Sequence, residues 1–336
     1  MMAYLKTKLI ILTFAVAIIL FIAASFLINP KTIEIFRSPI PEETENKTVS
    51  VILTGDIMLD RGVEYMIEKQ EKGDFRFPFL KIADYFKKTD IVFGNLEGII
   101  SDKGTKIGSI YSFRADPKAM EGLVFAGFSV VSLANNHALD YGKDALEDCL
   151  VRLKDSGIDY VGAGFNEKEA FSLVIEEING TKIGFLAYTD LGPEVWRARE
   201  ESSGIAWIED SDFGKIGQDI QKAKNNVDVL IVSIHSGEEY VQELTPFQLN
   251  FTKMAIEAGA DLIVGHHPHV VQRDEKYEQK YIFYSLGNFI FDQSFSEQTM
   301  QGEIVEITIE NKKIKEVTTK QIKINEFFQP EIYEPR

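Results

Sequence analysis

Six short apolar runs rich in β-branched residues alternate along the chain with helical patterns, and each run ends in a polar cluster. The runs at residues 49–54, 90–93, 129–133, 227–234, 261–264 and 281–284 read as buried strands. Between them residues 79–88, 117–126, 143–155, 213–225 and 246–258 carry helical periodicity. Such alternation leads to sheets with helices packed outside. Two stretches break the parallel pattern. Residues 172–178 and 182–188 flank Asn179-Gly180-Thr181, a strong hairpin signal. Residues 303–309 and 313–322 flank Glu310-Asn311-Lys312 with apolar/polar alternation, a second hairpin. The expected fold is α/β with mixed sheets.

At 336 residues with 52 acids against 36 bases, the chain carries a net charge of −16. That balance excludes a broad basic face, so no nucleic-acid partner is expected. The single cysteine, Cys149, excludes an internal disulfide framework and a Cys-based zinc site. Residues 9–28 form an uncharged, largely apolar run about 30 Å long as a helix, enough to cross a bilayer. Lys6 and Lys8 precede it, so the positive-inside rule keeps residues 1–8 cytoplasmic and places the rest outside. A cleaved signal peptide is the competing reading, but the run exceeds a typical apolar core of that kind. The expected layout is a cytoplasmic end (1–8), a transmembrane anchor (9–28), a Pro- and Glu-containing linker (29–48), an extracytoplasmic domain (49–328) and a tail (329–336).

The polar clusters carry the chemistry. The first three strands are followed by Thr54-Gly55-Asp56-Ile57-Met58-Leu59-Asp60-Arg61, by Gly94-Asn95-Leu96-Glu97 and by Ala134-Asn135-Asn136-His137. The next three are followed by His235-Ser236-Gly237-Glu238-Glu239-Tyr240, Gly265-His266-His267-Pro268-His269 and Ser285-Leu286-Gly287-Asn288-Phe289. All five histidines fall in three of these clusters. Ligand sites in α/β folds gather at the carboxyl ends of strands, so convergence on one site is expected. Carboxylate, carboxamide and imidazole together suit borderline divalent ions such as Mn, Fe or Zn, and without thiolates an open site fits better than a closed structural one. Singly, the residues have plainer uses: Asp56 as a helix cap, Asn135 and Asn136 as turn residues, His137 and His235 as hydrogen-bonded core histidines. The three imidazoles at 266, 267 and 269 have few such uses. Glu238 and Glu239 read equally as solvated charges. No Gly-x-Ser-x-Gly elbow, P-loop or dinucleotide fingerprint is present.

In this order, the six motifs resemble those of the CapA family of capsule and poly-γ-glutamate biosynthesis proteins, related to calcineurin-like metallophosphoesterases. The resemblance covers about residues 49–293. It implies a four-layer αββα sandwich with two divalent metal ions at the strand ends. It further implies metal roles for Asp56, Glu97, Asn136, His235, His267 and His269, and a proton-donor role for His137. Asn95, Glu239 and His266 are further candidates. Met58 stands where the phosphoesterase pattern has a histidine. The implied activity is metal-assisted hydrolysis of a phosphoester or amide bond. The alternative is a non-catalytic accessory that binds the polymer beside membrane subunits of a capsule synthase. Because a polyanion is repelled by the net charge, Arg61 and Arg114 are expected to contact substrate, guanidinium pairing well with carboxylate or phosphate.

Overall fold

The computed structural model describes residues 47–107 and 110–333, together with Val16. The expected cytoplasmic end, the rest of the membrane segment and nearly all of the linker lie outside the described residues. Among those described, no helix is long and apolar enough to cross a membrane.

The first half of the domain contains β1 (Thr48–Ile57), α1 (Arg61–Glu71), β2 (Ile91–Leu96), α2 (Ala119–Ala126), β3 (Val130–Ser132), α3 (Lys143–Asp155) and β4 (Asp159–Val161). Then come β5 (Val174–Ile178), β6 (Thr181–Thr189), α4 (Phe213–Lys224), β7 (Val229–His235), α5 (Pro246–Ala258) and β8 (Leu262–His266). The chain closes with β9 (Asp274–Tyr277), β10 (Lys280–Phe283), β11 (Asn288–Ile290), β12 (Gln301–Glu310), β13 (Lys313–Ile324) and β14 (Pro330–Tyr333). One sheet runs β14-β13-β12-β1-β2-β3-β4, with β11 beside the end of β1; the other runs β9-β10-β8-β7-β6-β5.

The central strands of each sheet are apolar on both faces, as strands covered on both sides must be. Val51 and Leu53 of β1 and Phe93 of β2 meet Phe185, Ile231 and Val264 of the second sheet. The Phe93 and Phe185 rings stack there with centroids 5.4 Å apart. The opposite face of the first sheet, with Ile52 and Val92, packs on Leu123 of α2 and Leu146 of α3. Outside the second sheet, Leu230 and Val232 pack on Ile220 of α4 and Phe251 of α5. Three cores between four layers make the αββα sandwich.

Several local expectations need correction. Residues 79–88 do not form one helix; a 3₁₀ turn at Phe77–Phe79 and a single turn at Ala83–Phe86 replace it. Pro78 is the second residue of that 3₁₀ turn, and short-range bonds such as Ile82 N–H to the Phe79 carbonyl continue the chain. Helix α1 follows the first motif, but Asp60 rather than Asp56 caps it, its Oδ1 accepting from the Arg61 N–H at 2.7 Å. The second hairpin closes through Asn311-Lys312 alone, because Glu310 pairs with Lys313. Within the stretch expected as a tail, Pro330–Tyr333 pairs antiparallel with β13. Cys149 is buried, its thiol pushed up to about 12 by desolvation.

Two glycines permit the close contacts that position the site. A Cβ on Gly55 would lie 2.0 Å from the Gly287 carbonyl oxygen, and one on Gly265 would lie 1.9 Å from that of Tyr284. The first approach lets the Asp56 N–H donate to Gly287 at 3.0 Å and sets Asp56 beside Asn288 and Asn95.

Candidate metal centre

The carboxyl ends of β1 and β2, the turn after β3 and the ends of β7 and β8 meet at one rim. Asp56 ends up buried, its Oδ1 accepting from Asn95 Nδ2 at 2.8 Å and its Oδ2 from the His267 N–H at 3.2 Å. Burial works to raise the Asp56 pKa, but the His269 hydrogen bond and the charges of His266 and His269 hold it below the usual carboxylate value.

Glu97, just past β2, is also buried, and neither carboxylate oxygen has a hydrogen-bond partner. Desolvation, with the negative charges of Asp56 and Glu239, pushes its pKa well up against the pull of His269. Burying a carboxylate without donors is costly, and a divalent cation is the group that satisfies it. His267 Nδ1 is likewise buried and unpartnered. The donor atoms fall into two sets, each within 4.8 Å: Asp56, Glu97 and His235 form one, and Glu239, His267 and His269 the other. Glu97 Oε1 lies 3.4 Å from His269 Nε2, and Asp56 Oδ2 lies 3.5 Å from His269 Nδ1, so both carboxylates border the two sets.

The imidazoles differ in environment. Desolvation, followed by the other histidines, depresses His235 well below the ordinary value and takes His267 down to about 3, leaving both neutral and able to ligate. Burial opposes charge on His269 too, but Glu97 and Asp56 outweigh it and push this ring up to about 9. His269 Nδ1 faces Asn288 Oδ1 at 3.0 Å. That oxygen is turned inward because Asn288 Nδ2 donates to Gln293 Oε1 and the Thr299 carbonyl. Such outer hydrogen bonds orient a ligand ring. His235 Nε2 lies 2.8 Å from Asn136 Oδ1. His267 and His269 have φ of 101° and 58°, and such non-glycine conformations cluster at functional sites.

His137 stands at the edge of the cluster and belongs to neither donor set. Its Nδ1 is 2.8 Å from Asp140 Oδ2; as a carboxylate accepts only, Nδ1 carries the hydrogen. Its Nε2 lies 3.7 Å from Glu97 Oε1, and the ring packs on Phe113 with centroids 4.1 Å apart.

Three of the named residues are engaged elsewhere. His266 Nε2 is 3.0 Å from the Thr54 carbonyl and Nδ1 is 3.3 Å from Ser233 Oγ, so this ring ties β8 to β1 instead of facing the cluster. Arg61 pairs with Asp292 through two nitrogens and lies over Phe113. Arg114 donates to the carbonyls of Lys103 and Gly104 and lies over Tyr141. Conversely, Asp140 acts here without having been named, and Asn135 and Asn288, members of the third and sixth motifs, act without having been given a site role. Asn135 Nδ2 donates to Asn95 Oδ1 and the Leu96 carbonyl, joining the second motif to the third. The three-residue step from His137 to Asp140 was the available signal for the first.

The family model for bacterial capsule synthesis protein PGA_cap matches residues 50–293, which include every residue of both donor sets. The chain belongs to this family. Capsule biosynthesis protein CapA of Bacillus anthracis is 34% identical over 287 residues, covering 84% of this chain and 69% of that protein. A probable polyglutamine synthesis accessory protein of Mycobacterium tuberculosis is 27% identical over 283 residues, covering 73% of this chain and 74% of its own. A hypothetical protein from Thermus thermophilus shares the fold at 14% identity and a TM-score of 0.51, over 81% of this chain and 98% of that one. Membership places the candidate donor sets in a capsule and poly-glutamate biosynthesis family.

Proposed function

We propose that the protein is a metal-dependent hydrolase held outside the cytoplasm by residues 9–28, cleaving a phosphoester or amide bond in an anionic capsule component such as poly-γ-glutamate. One observation carries the catalytic part: His137 sits beside the donor sets, its Nδ1 held by Asp140 and its Nε2 toward Glu97. A pure binder has no need of an oriented proton carrier there.

Asp56, Glu97, Asn136 and His235 would hold one divalent cation and Glu239, His267 and His269 a second, the N/O set suiting Mn, Fe or Zn. Cations so bound supply Lewis acidity and an activated water. His137 holds a proton at Nε2 for the leaving group, and Asp140 keeps the ring oriented and stabilises its charged form. The burial of Glu97 and His267 keeps bulk water from those two donors, while the exposed Glu239 leaves the second set open on one side.

The second reading, a polymer-binding accessory working beside synthase membrane subunits, is favoured by Met58 at the position of an otherwise expected histidine and by the accessory role named for the mycobacterial relative. Metal content and turnover of phosphoesters and poly-γ-glutamate by the full chain in neutral detergent separate the two. His137→Ala should keep its metals and lose roughly 10²–10⁴-fold in turnover, whereas His267→Ala should lose metal. Turnover equal to wild type in His137→Ala would remove the acid role of His137, whereas metal-loaded wild type with no turnover of either substrate would leave the accessory reading standing. Protease added to wall-stripped cells should reach the domain; protection until lysis would reverse the proposed orientation.

A further inference from the structure

At the end of the sandwich away from the metal-ligand rim, where β7 and β8 begin, a cavity of about 530 Å³ opens toward the β12–β13 turn. Lys224, Lys276, Lys280, Lys312, Lys313 and Lys315 line it, with Asp228 and Asp261 as its acids. In a chain with 52 acids to 36 bases, this balance runs against the composition.

Both acids are already engaged. Asp228 Oδ2 accepts from the Lys182 N–H at 2.8 Å and pairs with Lys312 at 3.3 Å. Asp261 Oδ2 accepts from the Leu230 N–H and from Lys224 Nζ, each at 2.7 Å. Lys315 pairs with Glu310 at 2.8 Å. Among the described residues, Lys276, Lys280 and Lys313 form no ion pair with a carboxylate. Lys276 Nζ lies over the Tyr281 ring at 4.4 Å, and Lys280 Nζ is 3.4 Å from the Ile256 carbonyl. The cavity therefore has positive charge left for an anion from outside.

We propose that this cavity holds carboxylates of a poly-γ-glutamate chain as a non-catalytic anchoring site, an inference resting on the anionic-polymer reading above. Val229 lines the cavity and His235 belongs to the metal rim, and the six residue steps between them along β7 place the two sites roughly 20 Å apart. A molecule at −16 repels a polyanion at long range, so capture needs a local cationic cluster. Flexible lysines suit serial, irregularly placed carboxylates better than the fixed fork of arginine. A chain held here stays near the rim at high effective concentration.

The test is poly-γ-glutamate binding by the full chain in neutral detergent with a chelator present, so that metals contribute nothing. Wild type should bind and weaken with salt. The triple variant Lys276→Gln, Lys280→Gln, Lys313→Gln should bind roughly tenfold or more weakly, the loss of a few exposed ion pairs. Its melting temperature should stay unchanged, and the matching Lys→Arg triple should retain binding. Equal binding by the Gln triple, or no binding by wild type, overturns the proposal. Preference for water-soluble short-chain phosphatidylglycerol over the polymer also overturns it, assigning the cavity to lipid headgroups. Turnover with metals restored tests the hydrolase reading separately, so either idea can fail alone.

Discussion

Asp140 accepts both from the His137 ring and from the Phe113 N–H, each at 2.8 Å, so one carboxylate fixes the ring from the side opposite Glu97 and the candidate donor sets. An amide at this position keeps the shape and an acceptor oxygen but removes the charge that stabilises a protonated imidazole. Asp140→Asn should therefore keep its metals and its KM while kcat falls by about tenfold or more, within the range for a positioned acid. A parallel loss of metal would instead make Asp140 part of the ligand scaffold. His137 and Asp140 lie three residues apart, yet His267 and His269 needed the left-handed backbone to face the cluster with His266 turned away. No spacing rule separates those three imidazoles.

Helix α1 shows how an element carries electrostatic strain beside a site. Its half-buried Glu64 is pushed up to about 7, first by desolvation and then by Asp60, Asp116 and Glu68. A carboxyl group raised in the folded state contributes stability that is full below its unfolded value of 4.5 and is lost as pH rises through about 7. Glu64→Gln cannot ionise, so its melting temperature should exceed that of wild type increasingly from pH 5 to pH 8, with little difference at pH 5. A pH-independent difference would remove the electrostatic explanation. The hairpin between β5 and β6 is simpler: Asn179 and Gly180 take φ of 53° and 75°, the pair of positive values its two-residue turn requires.

The two sheets share a face of apolar side chains, and the candidate metal-donor side chains bridge them where that face ends. Asp56 and Glu97 come from the first sheet and His235 from the second, so a cation held by the set would join them. Ligands that bind only the folded state raise its stability by mass action. A chelator should therefore lower the melting temperature of the whole domain in one transition, and restored divalent metal should reverse the shift. In His267→Ala the shift should shrink. An unchanged melting temperature with metal demonstrably removed would show that the sheets hold together without it.

Much of this architecture is written locally. Buried strands, the Asn-Gly hairpin and the helices near 117–126, 143–155, 213–225 and 246–258 follow from periodicity and turn chemistry, which act over a few residues. The gathering of polar clusters at strand ends follows from the same alternation. Other features were not legible that way. The helix expected over 79–88 broke into two short turns, α1 took its cap from Asp60 rather than Asp56, and Pro330–Tyr333 joined a sheet edge. Arg61 was claimed by Asp292, 231 residues away, and His266 by the Thr54 carbonyl, 212 residues away. A side chain's hydrogen-bond partner depends on which strands become neighbours and in what register, and that is set only when distant segments pack.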